Sequence, residues 1–258
     1  MAVNIKGMGG NMKIGIIGGT GFYEMEGEEI EIETEYGRVL AFIFEKNARK
    51  IFFIPRHGRQ HKPAHAVNYH ANIRAMKNAG VEAIIGISNV GSMKKEIKPG
   101  EIFIPSDFID LSGRNSTFYN EQAIHIDMSN PFCPVLRKII VEEASKIGKY
   151  HEGVYIVTNG PRLETKAEIN FFRNFADVVG MTLMPETALA RELQICYASI
   201  CLVSNYAAGM QEKLSAREIK EIVNERKKYL IEIVDECIKR IPEKRSCKCM
   251  HALEEGKI

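Results

Sequence analysis

Short apolar runs that end in turns alternate along this chain with segments of helical spacing, and that alternation constrains the fold more than any other feature. Residues 13–17 form a short apolar strand that ends in Gly18-Gly19-Thr20-Gly21. Residues 30–53 alternate and are rich in Ile, Phe and Val, which predicts β-strands with a turn at 45–49. Residues 67–79 have helical spacing and stop at Gly80. Residues 83–88 read as a buried strand leading into Asn89-Val90-Gly91-Ser92, and 101–104 as a strand bounded by prolines. A helix over 134–147 begins at a proline, a strand over 153–157 is broken by Asn159-Gly160-Pro161, and helices follow over 165–175 and 185–193. The run 195–204 is a buried strand, and Ser215 caps a long amphipathic helix carrying Ile219, Ile222, Val223, Leu230, Ile233 and Cys237 on one face. Strands alternating with helices predict an α/β fold around a mostly parallel or mixed sheet.

The chain has 258 residues and a formal net charge of +2, with no basic block interleaved with aromatics, so a nucleic-acid partner is not expected. The longest apolar run, 195–203, is far too short to cross a bilayer, and the N-terminus has no uninterrupted apolar segment with a cleavage site. These features predict a cytoplasmic protein without a membrane partner. No Pro/Gly/Ser-rich linker divides it, so one domain is expected over 12–242, with 1–11 as a loose leader before Met12 and 243–258 as a tail holding Cys247-Lys248-Cys249. There are six cysteines. Reduced buried thiols are the default in a cytosol, and structural disulfides are the alternative in a heat-adapted one. A metal site is not expected, because Cys-Lys-Cys has no second pair or His-x-x-x-His to complete four ligands.

Gly18-Gly19-Thr20-Gly21 lets backbone amides approach an anion, and Thr20 adds a hydroxyl. A dinucleotide fingerprint is rejected: an apolar helix and then a strand ending in an acidic residue should follow, and the next segment is Glu-rich and strand-like. The segment 54–61, Ile-Pro-Arg-His-Gly-Arg-Gln-His, packs Arg56, His57, Arg59 and His61 into six positions. Four such side chains in one tight turn repel unless an anion neutralises them, and the planar fork of Arg suits phosphate.

These segments, in order, resemble the purine nucleoside phosphorylase and methylthioadenosine phosphorylase family. The landmarks are Ile14–Gly21, Arg56-His57-Gly58-Arg59-Gln60-His61, Ser88-Asn89-Val90-Gly91-Ser92, Gly160-Pro161-Arg162, Gly180-Met181-Thr182 and Ser204-Asn205-Tyr206. The resemblance implies a single-domain α/β fold, a mixed sheet with a distorted, barrel-like core surrounded by helices, assembled as a homotrimer or a multiple of trimers. It places Thr20, Arg56, His57 and Thr182 on phosphate, Ser88 and Asn89 at a further phosphate and ribose wall, and Met181 under the ribose. Leu163 stands where the family usually has Phe against the ribose. Phosphate is the co-substrate, and neither a metal nor an organic cofactor is implied.

Asn205 matches the position that meets the base. The adenine-type enzymes hold Asp there, to accept from a 6-amino group, whereas Asn can donate to a 6-oxo group. Glu164 matches the Glu of 6-oxopurine enzymes, whose carboxylate accepts N1–H. Asn205, Glu164 and His57 are therefore expected to carry the chemistry. Inosine-type members bring a His after the base-binding Asn, but here Tyr206-Ala207-Ala208-Gly209-Met210 contains none and offers a small apolar surface. His125 matches a His that methylthio enzymes lend from a neighbouring subunit. The expected reaction is phosphorolysis of S-methyl-5′-thioinosine, with inosine, guanosine and methylthioadenosine as alternative substrates, and hydrolysis or simple purine binding as alternative functions. The resemblance also matches Cys133 and Cys201 to a paired arrangement in heat-stable members, and Cys247-Lys248-Cys249 to their tail motif.

Overall fold

The computed structural model describes residues 12–19, 21, 27–211, 216–254 and 256. Thr20, Ser215 and the expected leader 1–11 lie outside them.

The first strand, β1 (Lys13–Gly18), is buried along nearly its whole length because it runs parallel between two others. On one side it pairs with β4 (Arg49–Pro55), which continues antiparallel into β3 (Gly37–Lys46) and β2 (Glu28–Thr34). The turn expected at 45–49 is a tight hairpin with Asn47 and Ala48 at φ 53° and 58°, the geometry that suits the strand twist. The second turn of this meander, at Gly37, carries little sequence signal.

On the other side β1 pairs with β5 (Val81–Ser92), the first strand of a closed ring. The ring continues through β8 (Val178–Gly180), β7 (Tyr150–Val157), β6 (Ile102–Asp110) and β9 (Cys196–Tyr206), which returns to pair parallel with β5. The expected barrel-like core is thus a closed five-stranded barrel with four further strands on its edge. Closure is tight at Gly86 of β5: a β-carbon there would lie 2.2 Å from the Tyr197 hydroxyl of β9.

Five α-helices are described around the sheet. Helix α1 (Tyr69–Asn78) is capped by Asn68, whose side chain accepts from Ala71 N–H, and stops before Gly80 at φ 76°. Helix α2 (Pro134–Ile147) starts on its proline as expected. Helix α3 (Lys166–Phe172) is shorter than the expected 165–175, and Thr165 with Glu168 forms a capping box. Helix α4 (Leu183–Glu192) begins two residues before Pro185, around a cis Met184–Pro185 bond. Helix α5 (Ala216–Arg240) buries Val223, Leu230, Ile233, Val234, Cys237 and Ile238 against the sheet. The described part of the tail, 243–254, is packed on the domain: Cys247 and Cys249 belong to the main hydrophobic core.

Candidate active site at one mouth of the barrel

The register of the strands brings several sequence landmarks to one end of the barrel. Gly91 of β5 lies opposite Asn205 of β9 and Val179 of β8, and Val157 of β7 lies opposite Gly180. The loops that leave these strands therefore meet there: Thr158 onward from β7, Met181-Thr182 from β8, and Ala207 onward from β9. Ala207 N–H donates to Ser92 O and Thr158 N–H to Gly180 O, which pins two of these exits.

Arg56 follows the end of β4 beside the Gly19 loop, and its side chain is fully buried. Nε and Nη2 donate to the two oxygens of Glu186 at 2.5 and 3.0 Å, and Nη1 donates to Ile87 O at 2.7 Å. A buried guanidinium needs such an anion, and the Glu186 carboxylate more than offsets the burial that would lower the Arg56 pKa, so the net shift is upward. Glu186 also accepts from Tyr197 OH at 2.8 Å, which ties the ion pair to the Gly86 closure. A β-carbon on Gly19 would lie 2.8 Å from Arg56 Nη1 and 3.2 Å from Ile87 O, so glycine is what lets the first loop reach this guanidinium.

This arrangement revises the reading of the basic loop. Its two arginines are paired within the chain, Arg56 with the buried Glu186 and Arg59 with Glu29 at the surface. The fork of Arg56 faces Glu186 rather than an incoming phosphate, and one Nη1 hydrogen beside Gly19 is what it has to offer a ligand. His57 Nδ1 lies 2.7 Å from Lys62 O. Burial first and Arg56 second push its pKa down to about 4, so the ring is neutral near pH 7 with Nδ1–H donating and Nε2 as the acceptor.

Ser88 and Thr182 come together, their hydroxyls 3.0 Å apart and both residues buried. Thr182 occupies the N-cap position of α4 but makes no capping hydrogen bond; its hydroxyl is turned to Ser88 instead. Asn89 follows Ser88 on β5.

At the nucleoside side, Glu164 Oε1 accepts from Thr158 Oγ1 at 2.6 Å. Its place just before a helix is incidental, since Thr165 and Glu168 do the capping. Asn205 Oδ1 lies 2.7 Å from Ser204 Oγ, and Asn205 Nδ2 donates to Tyr206 O at 2.9 Å. Met181 packs its sulfur against the backbone at Gly160. Leu163 is 47% exposed and Ala207 is buried. Tyr206 OH donates to Lys95 O at 3.0 Å, at the protein surface. His125 is exposed on the irregular stretch between β6 and α2; its backbone N–H donates to Gly256 O, and it lines a separate hollow with Phe108, Thr117, Met128 and Glu192.

Three organising residues escaped sequence reasoning. In the sequence Glu186 is one acid in a helical segment after Pro185, and Thr158 only follows the strand at 153–157. Arg114, in the irregular stretch, donates to Asn159 O, Asn159 Oδ1, Met181 O and Met184 O, and so staples the β7 exit loop to the turn before α4. Its one sequence signal was a lone Arg between Gly113 and Asn115.

A closed barrel that gathers a buried Arg56, the facing hydroxyls of Ser88 and Thr182, Glu164 and Asn205 around one mouth suits a phosphorylase, a pentosyltransferase that splits a glycosidic bond with inorganic phosphate. The chain belongs to the phosphorylase superfamily, whose profile matches residues 13–239. It is 48% identical over 255 residues to a protein of Methanothermobacter thermautotrophicus named "Probable S-methyl-5'-thioinosine phosphorylase", covering 95% of this chain and 90% of that one. It is 44% identical to an S-methyl-5'-thioadenosine phosphorylase of Pyrococcus abyssi, covering 94% and 98%. In structure it superposes on the methylthioadenosine phosphorylase of Schistosoma mansoni in complex with adenine with a TM-score of 0.87, at 28% identity and covering 95% and 99%.

Proposed function

We propose that this protein cleaves a 6-oxopurine nucleoside with phosphate, S-methyl-5′-thioinosine before inosine or guanosine, yielding hypoxanthine and 5-methylthioribose 1-phosphate. The observation that carries the base choice is the orientation of Asn205. With Oδ1 beside Ser204 Oγ and one Nδ2 hydrogen on Tyr206 O, the second Nδ2 hydrogen is left to donate to O6. Glu164 supports the same base: Thr158 holds Oε1, leaving Oε2 to accept N1–H. The similarity to the Methanothermobacter protein points the same way.

The chemistry needs two charges stabilised. Breaking the C1′–N9 bond builds positive charge on the ribose ring, and phosphate held beneath C1′ stabilises and then captures it. Negative charge spreads over the leaving base, where Asn205 donates. Phosphate is held by the Gly19 loop with Thr20, by Nη1 of Arg56, by Ser88, Asn89 and Thr182, and by Nε2 of neutral His57, which accepts the P–OH of the phosphate. Met181, Leu163, Tyr206 and Ala207 wall the ribose and its 5′ group. Positioning and electrostatics supply the acceleration, with no metal or organic cofactor in the reaction. The working form is a cytoplasmic homotrimer, or a multiple of it, in which His125 serves a neighbour's site.

Methylthioadenosine is the second reading, favoured by the similarity to the Pyrococcus enzyme. The deciding experiment gives purified protein adenosine, inosine, guanosine and their 5′-methylthio forms, with and without phosphate. Phosphate-dependent release of hypoxanthine, fastest from methylthioinosine, is expected. Faster release of adenine, turnover without phosphate, or purine binding without product would each reject the proposal.

A further inference from the structure

At the barrel end opposite the candidate site, four cysteines from three separate parts of the chain converge. Cys133 is the N-cap residue of α2, Cys196 opens β9, Cys247 is the N-cap residue of the short turn of helix at Lys248–His251, and Cys249 lies within that turn. Their four Sγ atoms all lie within 4.8 Å of one another, with Cys196 and Cys247 at 3.3 Å. All four are buried and all are free thiols. Cys201, the expected partner of Cys133, instead has its sulfur 3.7 Å from the Ser199 hydroxyl.

From this geometry we infer a structural metal site, Cys133–Cys196–Cys247–Cys249, for a thiophilic divalent cation of the zinc class. Tetrahedral zinc with Zn–S of about 2.3 Å holds its sulfurs about 3.8 Å apart, so the cluster needs shifts of under an ångström to close on a metal. Binding converts four thiols and one divalent ion into a tetrathiolate complex and releases four protons, with no change of oxidation state. The complex carries two net negative charges, and its surroundings suit that. Arg191 Nη1 lies 3.8 Å from Cys249 Sγ. Arg245 lines the same small hollow as Cys133, Cys196 and Cys247. The buried Nε–H groups of Arg191 and Arg245 have no acceptor among the described residues. The N-terminus of α2, at Cys133, adds its partial positive charge. Arg245 Nη2 pairs with Glu82, but two neutral disulfides would still leave the two buried Nε–H groups without an anion to face.

The site would be structural rather than catalytic. β9 spans eleven residues between Cys196 and Tyr206, about 33 Å of strand, so the metal lies far from the Asn205 end. What it joins is the segment after α5 to the start of β9 and of α2. Gln194 Nε2 on Met250 O and Arg245 Nη1 on Gln194 O already hold that segment, and four metal bonds would lock it. Spacing hid the site because half its ligands, Cys133 and Cys196, stand alone in the sequence.

The test is metal content and thiol state of the full-length protein, expressed in zinc-supplemented medium and purified without chelator. One zinc per chain is expected, with four thiols unreactive until the metal is stripped. Refolding with cobalt should give the intense sulfur-to-metal charge-transfer bands of a tetrathiolate. A chelator with warming should lower Tm by roughly 5 °C or more, while a mild reductant alone should not. Cys196→Ser and Cys249→Ser should abolish metal binding yet leave kcat at moderate temperature near wild type. Should those variants fail to fold, the wild-type metal count still decides. Metal-free protein overturns the site, whether its four thiols are oxidised to disulfides or freely reactive, as does a Tm that falls with reductant but not with chelator.

Discussion

On the proposed reading, the direction of the Asn205 amide decides which purine fits. An Asp there has no donor for O6 but accepts well from an amino group, so Asn205→Asp should shift preference toward 6-amino nucleosides. Glu164 still presents an acceptor to N1 of adenine, so the single change shifts preference partly, and adding Glu164→Gln completes it. The two touch one ligand and should not simply add. The readout is the ratio of kcat/KM for methylthioinosine and methylthioadenosine in the four proteins; an Asn205→Asp ratio equal to wild type would show the base lies elsewhere. Arg56 presents a different case. Arg56→Met leaves Glu186 buried and unpaired, so it should cost about 3–5 kcal/mol in urea unfolding besides raising the KM for phosphate. An unchanged stability would place the guanidinium outside the ion pair. His57 gives the pH signature. Its folded pKa of about 4 lies below the ordinary 6.5, so the unfolded chain takes up a proton first as pH falls. Stability is therefore lost between about pH 6.5 and pH 4, and His57→Gln should lose roughly 1–3 kcal/mol less than wild type across that window. Equal slopes for the two proteins would mean His57 titrates normally.

Among the elements, what the sequence disclosed follows from local pattern. Helix α2 and the helix stop at Gly80 are legible because Pro, Gly and spacing act within a few residues. The strands β5, β6 and β9 run past their expected ends, because pairing in the closed barrel extends β-structure through Gly91, Pro105 and Asn205, which local propensity counts against. β8 is three residues long and exists because β5 and β7 offer it partners. The landmarks of the site were legible as motifs at strand ends, and Ser88 with Thr182 do meet. Their supports were not, since Glu186 lies 130 positions from Arg56 and Arg114 reaches across three segments. Arg114 gives the prediction that belongs here. Arg114→Met frees the loop from Asn159 to Glu164 and the turn at Met181, so nucleoside KM should rise about tenfold or more while phosphate KM moves little. Equal rises in both constants would make Arg114 a general stabiliser instead.

The molecule as a whole leaves an apolar face uncovered beside the site. Phe171 and Phe175 on and just after α3 are 63% and 58% exposed, with rings 5.4 Å apart, and Leu163 is half exposed just before that helix. Large apolar side chains clustered this way mark a surface that another protein covers. The His125 stretch is equally bare of a role within its own chain: it lies in the irregular crossing between β6 and α2, exposed, beside a hollow separate from Glu164 and Asn205. The proposed homotrimer would account for both, because a cyclic assembly can seat one copy's His125 stretch over the next copy's Leu163 wall. Sedimentation equilibrium of the native protein should give a multiple of three chains. Phe171→Glu with Phe175→Glu should weaken the assembly and, with it, raise the KM for methylthioinosine, since the neighbour's His125 leaves with its subunit. His125→Ala should raise the same KM without dissociating the trimer. If dissociated chains keep the wild-type KM, the site is complete within one subunit and His125 has no part in it.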